Sequence, residues 1–360
     1  MKKTMMILSL LFVGMLLLPA VVLSSRGTTP ESSLLLQTVR EQRLKDIQNH
    51  VSFPQTTGLY HTYSQMTTLL QTLTATYPSI MSMSSIGKTS EGRDLWMVKI
   101  SDNVSQQEAE PEVLFMGAHH GNEKPGYEVC LYFIQYLVEH YQNESTPEVR
   151  EIINTTQIYI LPMVNPDGVE ADTRKNAEPN HGFFGYSPIV TSYGVDLNRN
   201  YGYRWFLLFL LPKIYSGTTS FIDSNEAYHG PRPFSENETQ AVKQFVDTHN
   251  ITISITYHTF GQLVLYPWGY TILPPKDKPV FVSIGENITA IDHYTLSQSI
   301  GLYPTLGDAC DWMYGTHRVL AYTIELGTSF APTNPATLQE ICVTHNLVNL
   351  YVCQRSHSLN

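Results

Sequence analysis

Apolar residues recur along the chain with two periodicities, and each periodicity predicts a different kind of element. Between Met66 and Tyr77 the apolar positions have the i, i+3, i+4, i+7 spacing of an amphipathic helix, which Pro78 ends. Further helices are predicted over residues 127–141, 236–248 and 337–351. The second of these starts with Ser235 and Glu238 at the spacing of a capping box.

Six short apolar runs, rich in β-branched or aromatic residues, predict buried strands. These runs cover residues 95–100, 113–116, 158–164, 251–257, 263–266 and 321–326. Because strands alternate with helices, we expect one α/β domain over residues 58–355, with a mixed parallel and antiparallel central sheet and helices on both faces. Ligands bind such sheets at the carboxyl ends of the strands, so the residues that follow each run are candidates for a site.

The first 57 residues have a different composition. Lys2 and Lys3 precede an apolar stretch from Met5 to Leu23, which predicts a signal peptide or N-terminal anchor over residues 1–24. Residues 25–57 are polar, and we interpret them as a linker or short pro-segment. A basic start stays on the inner side of a membrane, so the protein is expected to be secreted or anchored on the outer face.

Composition excludes some partners. The chain has 22 basic and 32 acidic residues among 360, and the resulting charge of −10 argues against nucleic acid as a partner. Apolar residues make up 42%, which is enough to form a folded core. Four cysteines are too few and too scattered for a disulfide framework, so we expect them mostly in the core. We also expect a monomer.

Several residues at the ends of the predicted strands are potential metal ligands. His120 and Glu123 form an H-x-x-E pair after the run 113–116, and a nearby imidazole and carboxylate can share a metal ion. His258 ends the run 251–257, and Glu325 lies in an apolar run where an ionised carboxylate is costly unless a cation pairs with it. The alternatives are a chance H-x-x-E pair and a hydrogen-bonded buried histidine. A catalytic zinc needs three such ligands and an open position for water.

Arg199 is flanked by two amides, Asn198 and Asn200, at the end of an apolar segment. An arginine in this setting is suited to bind a planar carboxylate through its fork of donors. The alternative is a structural ion pair with Asp196 or Asp167, and these residues alone leave the choice open.

A set of ordered motifs resembles the zinc carboxypeptidases of the carboxypeptidase A type, most closely their secreted bacterial branch typified by carboxypeptidase T. The likeness covers about residues 58–355. Its motifs are Ile86-Gly87-Lys88-Thr89-Ser90-Glu91-Gly92-Arg93, the H-x-x-E turn, N-P-D-G at 165–168, D-L-N-R-N-Y-G-Y at 196–203, Tyr257-His258-Thr259, Asp311-Trp312 and Thr323-Ile324-Glu325.

The resemblance implies one zinc ion per chain, bound by His120, Glu123 and His258. It makes Glu325 the catalytic carboxylate, which takes a proton from water and passes it to the leaving amine. It also implies that Arg174 stabilises the oxyanion formed during hydrolysis. The implied reaction is removal of the C-terminal residue of peptides and proteins.

The same resemblance implies the residues that bind the substrate. Asn198, Arg199 and Tyr303 match the family's clamp for the free C-terminal carboxylate. Asp308 and Cys310 match positions that line the pocket for the C-terminal side chain. One acid in an otherwise neutral pocket implies broad specificity for apolar and basic C-terminal residues.

Two departures and two rival functions accompany this interpretation. Asn122 replaces an arginine of the digestive members, and the segment between Gly168 and Arg174 is about half the family's usual length.

One rival function is a zinc amidase of a related branch that acts on cell-wall peptides. The other is a non-catalytic binding protein, which requires loss of a ligand or of Glu325.

Two further stretches have alternative interpretations. The run Trp205 to Leu211 is entirely apolar, and if exposed it is suited to contact with a membrane or a partner; burial against the domain is the alternative. The acidic loop with Glu108, Glu110 and Glu112 has the oxygen ligands that calcium prefers, and a solvated loop is the alternative.

Overall fold

The computed structural model describes residues 58–182 and 187–359, so the predicted signal or anchor and the predicted linker lie outside the described residues. The helices in this part are α1 (Tyr63–Thr76), α2 (Pro125–His140), α3 (Pro147–Ile153), α4 (Pro166–Ala171), α5 (Leu207–Leu210), α6 (Pro212–Tyr215), α7 (Asn237–Asp247), α8 (Lys278–Asp292), α9 (Ala309–Trp312) and α10 (Pro335–Ser356). Within the described ranges, no helix has the length and apolar character needed to cross a bilayer.

Eight strands form one sheet, and a two-stranded ribbon lies apart from it. The sheet strands are β1 (Met81–Lys88), β2 (Asp94–Ile100), β3 (Glu112–Met116), β4 (Gln157–Leu161), β7 (Ile251–His258), β8 (Leu263–Tyr266), β9 (Thr295–Gln298) and β10 (Leu320–Glu325). The ribbon pairs β5 (Pro179–Asn180) with β6 (Ser192–Tyr193). The order is β1-β2-β4-β3-β7-β10-β8-β9; β1, β2 and β4 pair antiparallel, as do β10 and β8, and the other neighbours are parallel.

Helices cover both faces of the sheet, as alternating residues of β3 demonstrate. Phe115 contacts Phe133 of α2, with ring centroids 5.3 Å apart. Its neighbours Leu114 and Met116 belong to a buried cluster that also contains Val242 of α7. The predicted α/β fold with a mixed sheet is therefore confirmed. All four cysteines are buried and free, as expected from their scatter along the sequence.

One detail of the sequence prediction was wrong. Helix α7 begins at Asn237, with Glu236 as the N-cap and no side-chain cap, so Ser235 and Glu238 do not form a capping box. Glu238 instead points into the protein, where the side-chain amide of Asn176 donates to it at 3.2 Å and to Glu236 at 2.9 Å. Glu236 and Glu238 thus serve as buried acceptors for Asn176, and Glu238 does not cap the helix.

The buried pair Glu236 and Glu238 should make stability depend on pH. Burial raises the pKa of Glu236 to about 7, and burial together with the neighbouring Glu236 raises that of Glu238 to about 8. A carboxyl with a higher pKa in the folded chain keeps its proton longer than in the unfolded chain. The free energy of unfolding should therefore fall as pH rises from about 4.5 to about 8.

We expect Glu238→Gln to flatten this fall by on the order of 3 kcal/mol between pH 5 and pH 8. Urea denaturation at a series of pH values measures this pH dependence of the free energy of unfolding. The exposed substitution Glu144→Gln is the matched control. Parallel pH profiles for the wild type and Glu238→Gln would contradict the assignment.

Candidate active site

Three strands deliver charged or ligating groups to one edge of the sheet. The turn with His120 and Glu123 follows β3, while His258 and Glu325 are the last residues of the parallel neighbours β7 and β10. All four are buried. The turn is close to the backbone of α4, because a side chain on Gly121 would collide with the carbonyl group of Gly168. The structure thus brings together the four residues that the sequence analysis selected at strand ends.

Two histidine rings and one carboxylate form a compact donor set. Oε1 of Glu123 lies 2.7 Å from Nδ1 of His120, and Oε2 lies 2.9 Å from Nδ1 of His258. The two Nδ1 atoms are only 3.2 Å apart. Burial acts to raise the pKa of Glu123, but the two histidines outweigh it and hold that pKa well below its usual value. Two nitrogens and a carboxylate converging on one point fit a zinc ion.

Asp196 orients the first of these ligands. Its Oδ1 lies 3.0 Å from Nε2 of His120, and Asp196 is fully buried. Because an ionised carboxylate only accepts hydrogen bonds, Nε2 carries the proton and the Nδ1 lone pair faces the donor set. From the sequence, Asp196 is predicted only as a possible ion-pair partner of Arg199. Its place two residues before Asn198 in the D-L-N-R motif was the available signal.

We expect Asp196→Asn to weaken zinc binding by about 10–100-fold, because the acceptor of His120 loses its negative charge and an NH2 group replaces the oxygen that accepts from Arg174. Competition with a chromophoric chelator measures the dissociation constant. The exposed Asp172→Asn is the control, and thermal denaturation of both variants checks folding. Unchanged zinc affinity in a folded Asp196→Asn protein would refute this role.

Arg174 lies beside the donor set. Its Nε and Nη2 donate to Oδ2 of Asp196 at 2.9 and 2.7 Å, and its Nη1 lies 3.2 Å from Nδ1 of His120 and 3.6 Å from Oε1 of Glu123. Burial disfavours the charged guanidinium, but Asp196 and Glu123 raise the pKa of Arg174 above its usual value. Despite the short segment before it, Arg174 therefore presents a fixed positive charge beside the donor set.

Glu325 is a buried carboxyl group with a shifted pKa. Burial raises its pKa to about 7, and the negative charge of Glu123 adds to the shift, whereas His258, Arg174 and Arg199 oppose it. A carboxyl group with a pKa near neutrality can both accept and donate a proton under ordinary conditions.

Arg199 is buried beside the same site without a carboxylate partner. Its Nε donates to the carbonyl of Thr218 at 2.5 Å and its Nη1 to the carbonyl of Asn198 at 2.8 Å, and Cζ lies 5.9 Å from the ring centroid of Tyr303. Within the described ranges, no carboxylate forms an ion pair with Arg199.

The two acids proposed as structural partners of Arg199 are occupied elsewhere. Asp196 pairs with Arg174, and Asp167 pairs with Arg93 at 2.6 Å. The alternative of a structural ion pair is therefore excluded for both. A buried guanidinium that has only backbone carbonyls as acceptors is suited to an incoming anion.

Hydrogen bonds hold Asn198, another residue of the predicted clamp, and Asp308, a residue of the predicted pocket. Asn198 accepts from the backbone N–H of Ala309 at 2.9 Å, and its Nδ2 lies 3.2 Å from Nε2 of His258. Asp308 caps α9, accepting from the N–H of Asp311 at 2.8 Å and from the hydroxyl of Thr305 at 3.0 Å.

The thiol of Cys310 donates to the carbonyl of Ala321 at 3.2 Å within the buried cluster. Its side chain is therefore part of the packed core. A contact between this thiol and a substrate side chain stays a prediction.

An open cavity of about 760 Å³ adjoins Arg174. Its lining includes Asn122, Lys175, Tyr193 and Glu226. The residue that departs from the digestive pattern, Asn122, thus faces a space large enough for several residues of a peptide.

The acidic loop forms a separate cluster of carboxylates, and its residues differ from those predicted. Carboxylate oxygens of Asp102, Glu108 and Glu110 approach within 4.8 Å of one another. Glu112, the third acid of the predicted loop, is not part of this cluster: it is buried and accepts a hydrogen bond from Gln107. Calcium binding there stays a prediction.

The fold and the donor set together describe an α/β domain with a candidate zinc site at the carboxyl edge of a mixed sheet. The chain belongs to the Peptidase_M14 zinc carboxypeptidase family, whose sequence profile matches residues 66–344. The family resemblance found in the sequence is thus confirmed, while the particular likeness to carboxypeptidase T stays a prediction.

Two relatives and one solved structure illustrate the similarity. A zinc carboxypeptidase of Saccharothrix mutabilis subsp. capreolus is 33% identical over 290 residues, covering 76% of this chain and 63% of that protein. Carboxypeptidase Z of Rattus norvegicus is 31% identical over 221 residues, covering 61% of this chain and 33% of that protein. The chain therefore spans only part of both relatives. The crystal structure of carboxypeptidase A from Helicoverpa armigera has the same fold, with a TM-score of 0.70, 24% identity and coverage of 90% and 81% of the two chains.

Proposed function

We propose that this protein is a zinc-dependent exopeptidase that hydrolyses the C-terminal peptide bond of peptides and proteins. The observation that carries the proposal is the buried, carboxylate-free guanidinium of Arg199 beside a zinc donor set. A peptide's terminal carboxylate supplies the missing anion, whereas an internal segment leaves the arginine uncompensated. Binding at Arg199 thus selects chain ends.

Each residue has a distinct part in the proposed reaction. Zinc bound by His120, Glu123 and His258 would polarise the scissile carbonyl and lower the pKa of water. Glu325 accepts a proton from the attacking water and delivers it to the leaving amine. Arg174 donates hydrogen bonds to the oxygen that becomes negative as the carbonyl is attacked.

The substrate-binding residues act by position. Arg199, with Asn198 and Tyr303, would hold the terminal carboxylate, so that the last peptide bond lies at the metal. The cavity beside Arg174 would receive the residues before that bond. For the C-terminal side chain we propose acceptance of apolar and basic residues, with Asp308 as the acid that pairs with Lys or Arg.

Location and assembly are part of the proposal. The basic and apolar start of the sequence supports export, with the domain secreted or anchored on the outer face of the membrane. A monomer is the expected oligomeric state.

The test is release of C-terminal Leu, Phe, Arg and Glu from N-blocked dipeptides, with and without a zinc chelator. We expect chelator-sensitive release of Leu, Phe and Arg. No release of any residue by zinc-loaded protein would overturn the exopeptidase proposal. Cleavage of γ-linked or D-residue peptides in its place would identify a cell-wall amidase.

Asp308→Asn tests the specificity separately. Loss of the charge should lower kcat/KM for C-terminal Arg by about 10–100-fold, since a charge-assisted pair is removed, and leave Leu and Phe almost unchanged. The asparagine oxygen can still accept from the N–H of Asp311, so α9 keeps its cap. Asp247→Asn, at a half-exposed position, is the control. Equal losses for Arg and Leu would indicate a structural role for Asp308 alone.

A further inference from the structure

A group of exposed apolar side chains lies on and directly beside the two short helices α5 and α6, which follow the Arg199 motif. We define the apolar rim as Phe206, Phe209, Leu210, Leu211 and Ile214, each 42–66% exposed. Four of these residues belong to the apolar run Trp205 to Leu211, for which the sequence permits either exposure or burial. Soluble proteins seldom expose a contiguous apolar patch of this kind without a binding role.

Buried residues of the same two helices pack against the domain, so that the rim faces solvent. Leu208, which lies between two rim residues, and Tyr215, which directly follows the last one, are buried and pack with Leu306. The hydroxyl of Tyr215 donates to the carbonyl of Tyr270 at 2.9 Å. Phe209 contacts Phe221 with ring centroids 4.6 Å apart. Helices α5 and α6 are thus fixed to the domain by one side while the rim faces solvent.

The segment 204–222, which carries the rim, has a charge opposite in sign to that of the whole chain. Residues 204–222 contain no aspartate or glutamate, but they contain exposed Arg204 and Lys213, in a protein with a net charge of −10. Phenylalanine and leucine side chains flanked by cations are the combination that binds anionic lipid surfaces. A second copy of the chain would place like charges opposite each other, which disfavours self-association through this surface.

We propose that the apolar rim docks the protein on the surface of an anionic lipid bilayer. The apolar side chains enter the boundary between headgroups and acyl chains, while Arg204 and Lys213 contact the anionic headgroups. The same segment reaches the candidate active site, because Thr218 accepts the hydrogen bond from Arg199. Docking therefore holds the opening of the site beside the bilayer, and it does not depend on the reaction proposed above.

The test places a fluorescent reporter in the rim of the full chain. Because the four native cysteines are buried, a new cysteine at Leu210 can be labelled selectively with an environment-sensitive dye. Vesicles of phosphatidylglycerol and phosphatidylcholine should shift its emission to the blue, and lipids with brominated acyl chains should quench it. The same dye on Gln71→Cys, exposed on α1, should not respond.

Charge substitutions complete the test. In the labelled protein, the double substitution Phe206→Asp with Ile214→Asp should lower the partition coefficient between vesicles and water by about tenfold or more. Thermal denaturation checks that the variant is folded. A label at position 210 that does not respond to these vesicles would overturn the proposal. A blue shift that needs no lipid and grows with protein concentration would also overturn it, in favour of a second copy.

Discussion

Glu325→Gln is expected to lower kcat by about 10³–10⁴-fold while zinc binding remains intact. Glutamine has nearly the shape of glutamate but cannot accept the proton of the attacking water. Glu325 is not one of the three proposed ligands, so the metal should stay in place. The measurement pairs steady-state hydrolysis of an N-blocked dipeptide with the zinc content of the same sample.

The control for this substitution is Glu144→Gln, which removes an exposed carboxylate. It should leave kcat unchanged. If Glu325→Gln retained more than about a tenth of the wild-type kcat, another group would have to be the proton carrier. If it lost zinc together with activity, Glu325 would have to be reassigned to holding the ligands.

Removal of zinc should abolish hydrolysis and lower the melting temperature. A ligand that binds only the folded state stabilises it by about 4 kcal/mol at a free concentration 1,000 times its Kd, which corresponds to about 8 °C for a domain of this size. His258→Asn should reproduce both effects, because it deletes one of three ligands. Differential scanning calorimetry with and without chelator measures the shift.

Re-addition of zinc should restore activity to the wild type and not to His258→Asn. His317→Asn changes a histidine that pairs with Asp247 outside the donor set, and it should still respond to zinc. A chelated wild type that remains active would rule out a catalytic metal. A His258→Asn protein with full zinc content would mean that the metal lies elsewhere.

The sequence was most informative where buried strands end in polar residues. His258 and Glu325 were recognisable because a charged or ligating side chain at the end of an apolar run is costly without a partner. The H-x-x-E spacing revealed His120 and Glu123. The contact between His120 and Asp196 was not predictable from spacing alone, because 76 residues separate the two and only tertiary folding brings them together.

Elements with weak apolar patterns were missed. Strand β1 has the sequence MSMSSIGK, at the edge of the sheet, where few residues need to be apolar. Helix α8 includes Gly285 and several β-branched residues, which lower its helix propensity, and packing of Phe281 and Ile284 compensates for this. Glu238 was misassigned because a local capping pattern was outweighed by a buried contact with Asn176, distant in the sequence.

The pairing of β7 with β10 sets the spacing between a metal ligand and the proposed proton carrier. His258 is directly opposite Glu325 in a parallel ladder, where neighbouring strands are about 4.8 Å apart. Backbone hydrogen bonds thus determine this separation, and the side chains need only reach inward from it. A slip of one residue would turn one of the two groups to the opposite face of the sheet. Strand register thus fixes the geometry of the proposed catalytic pair. This geometry should tolerate changes in the surrounding side chains better than an insertion or deletion within either strand.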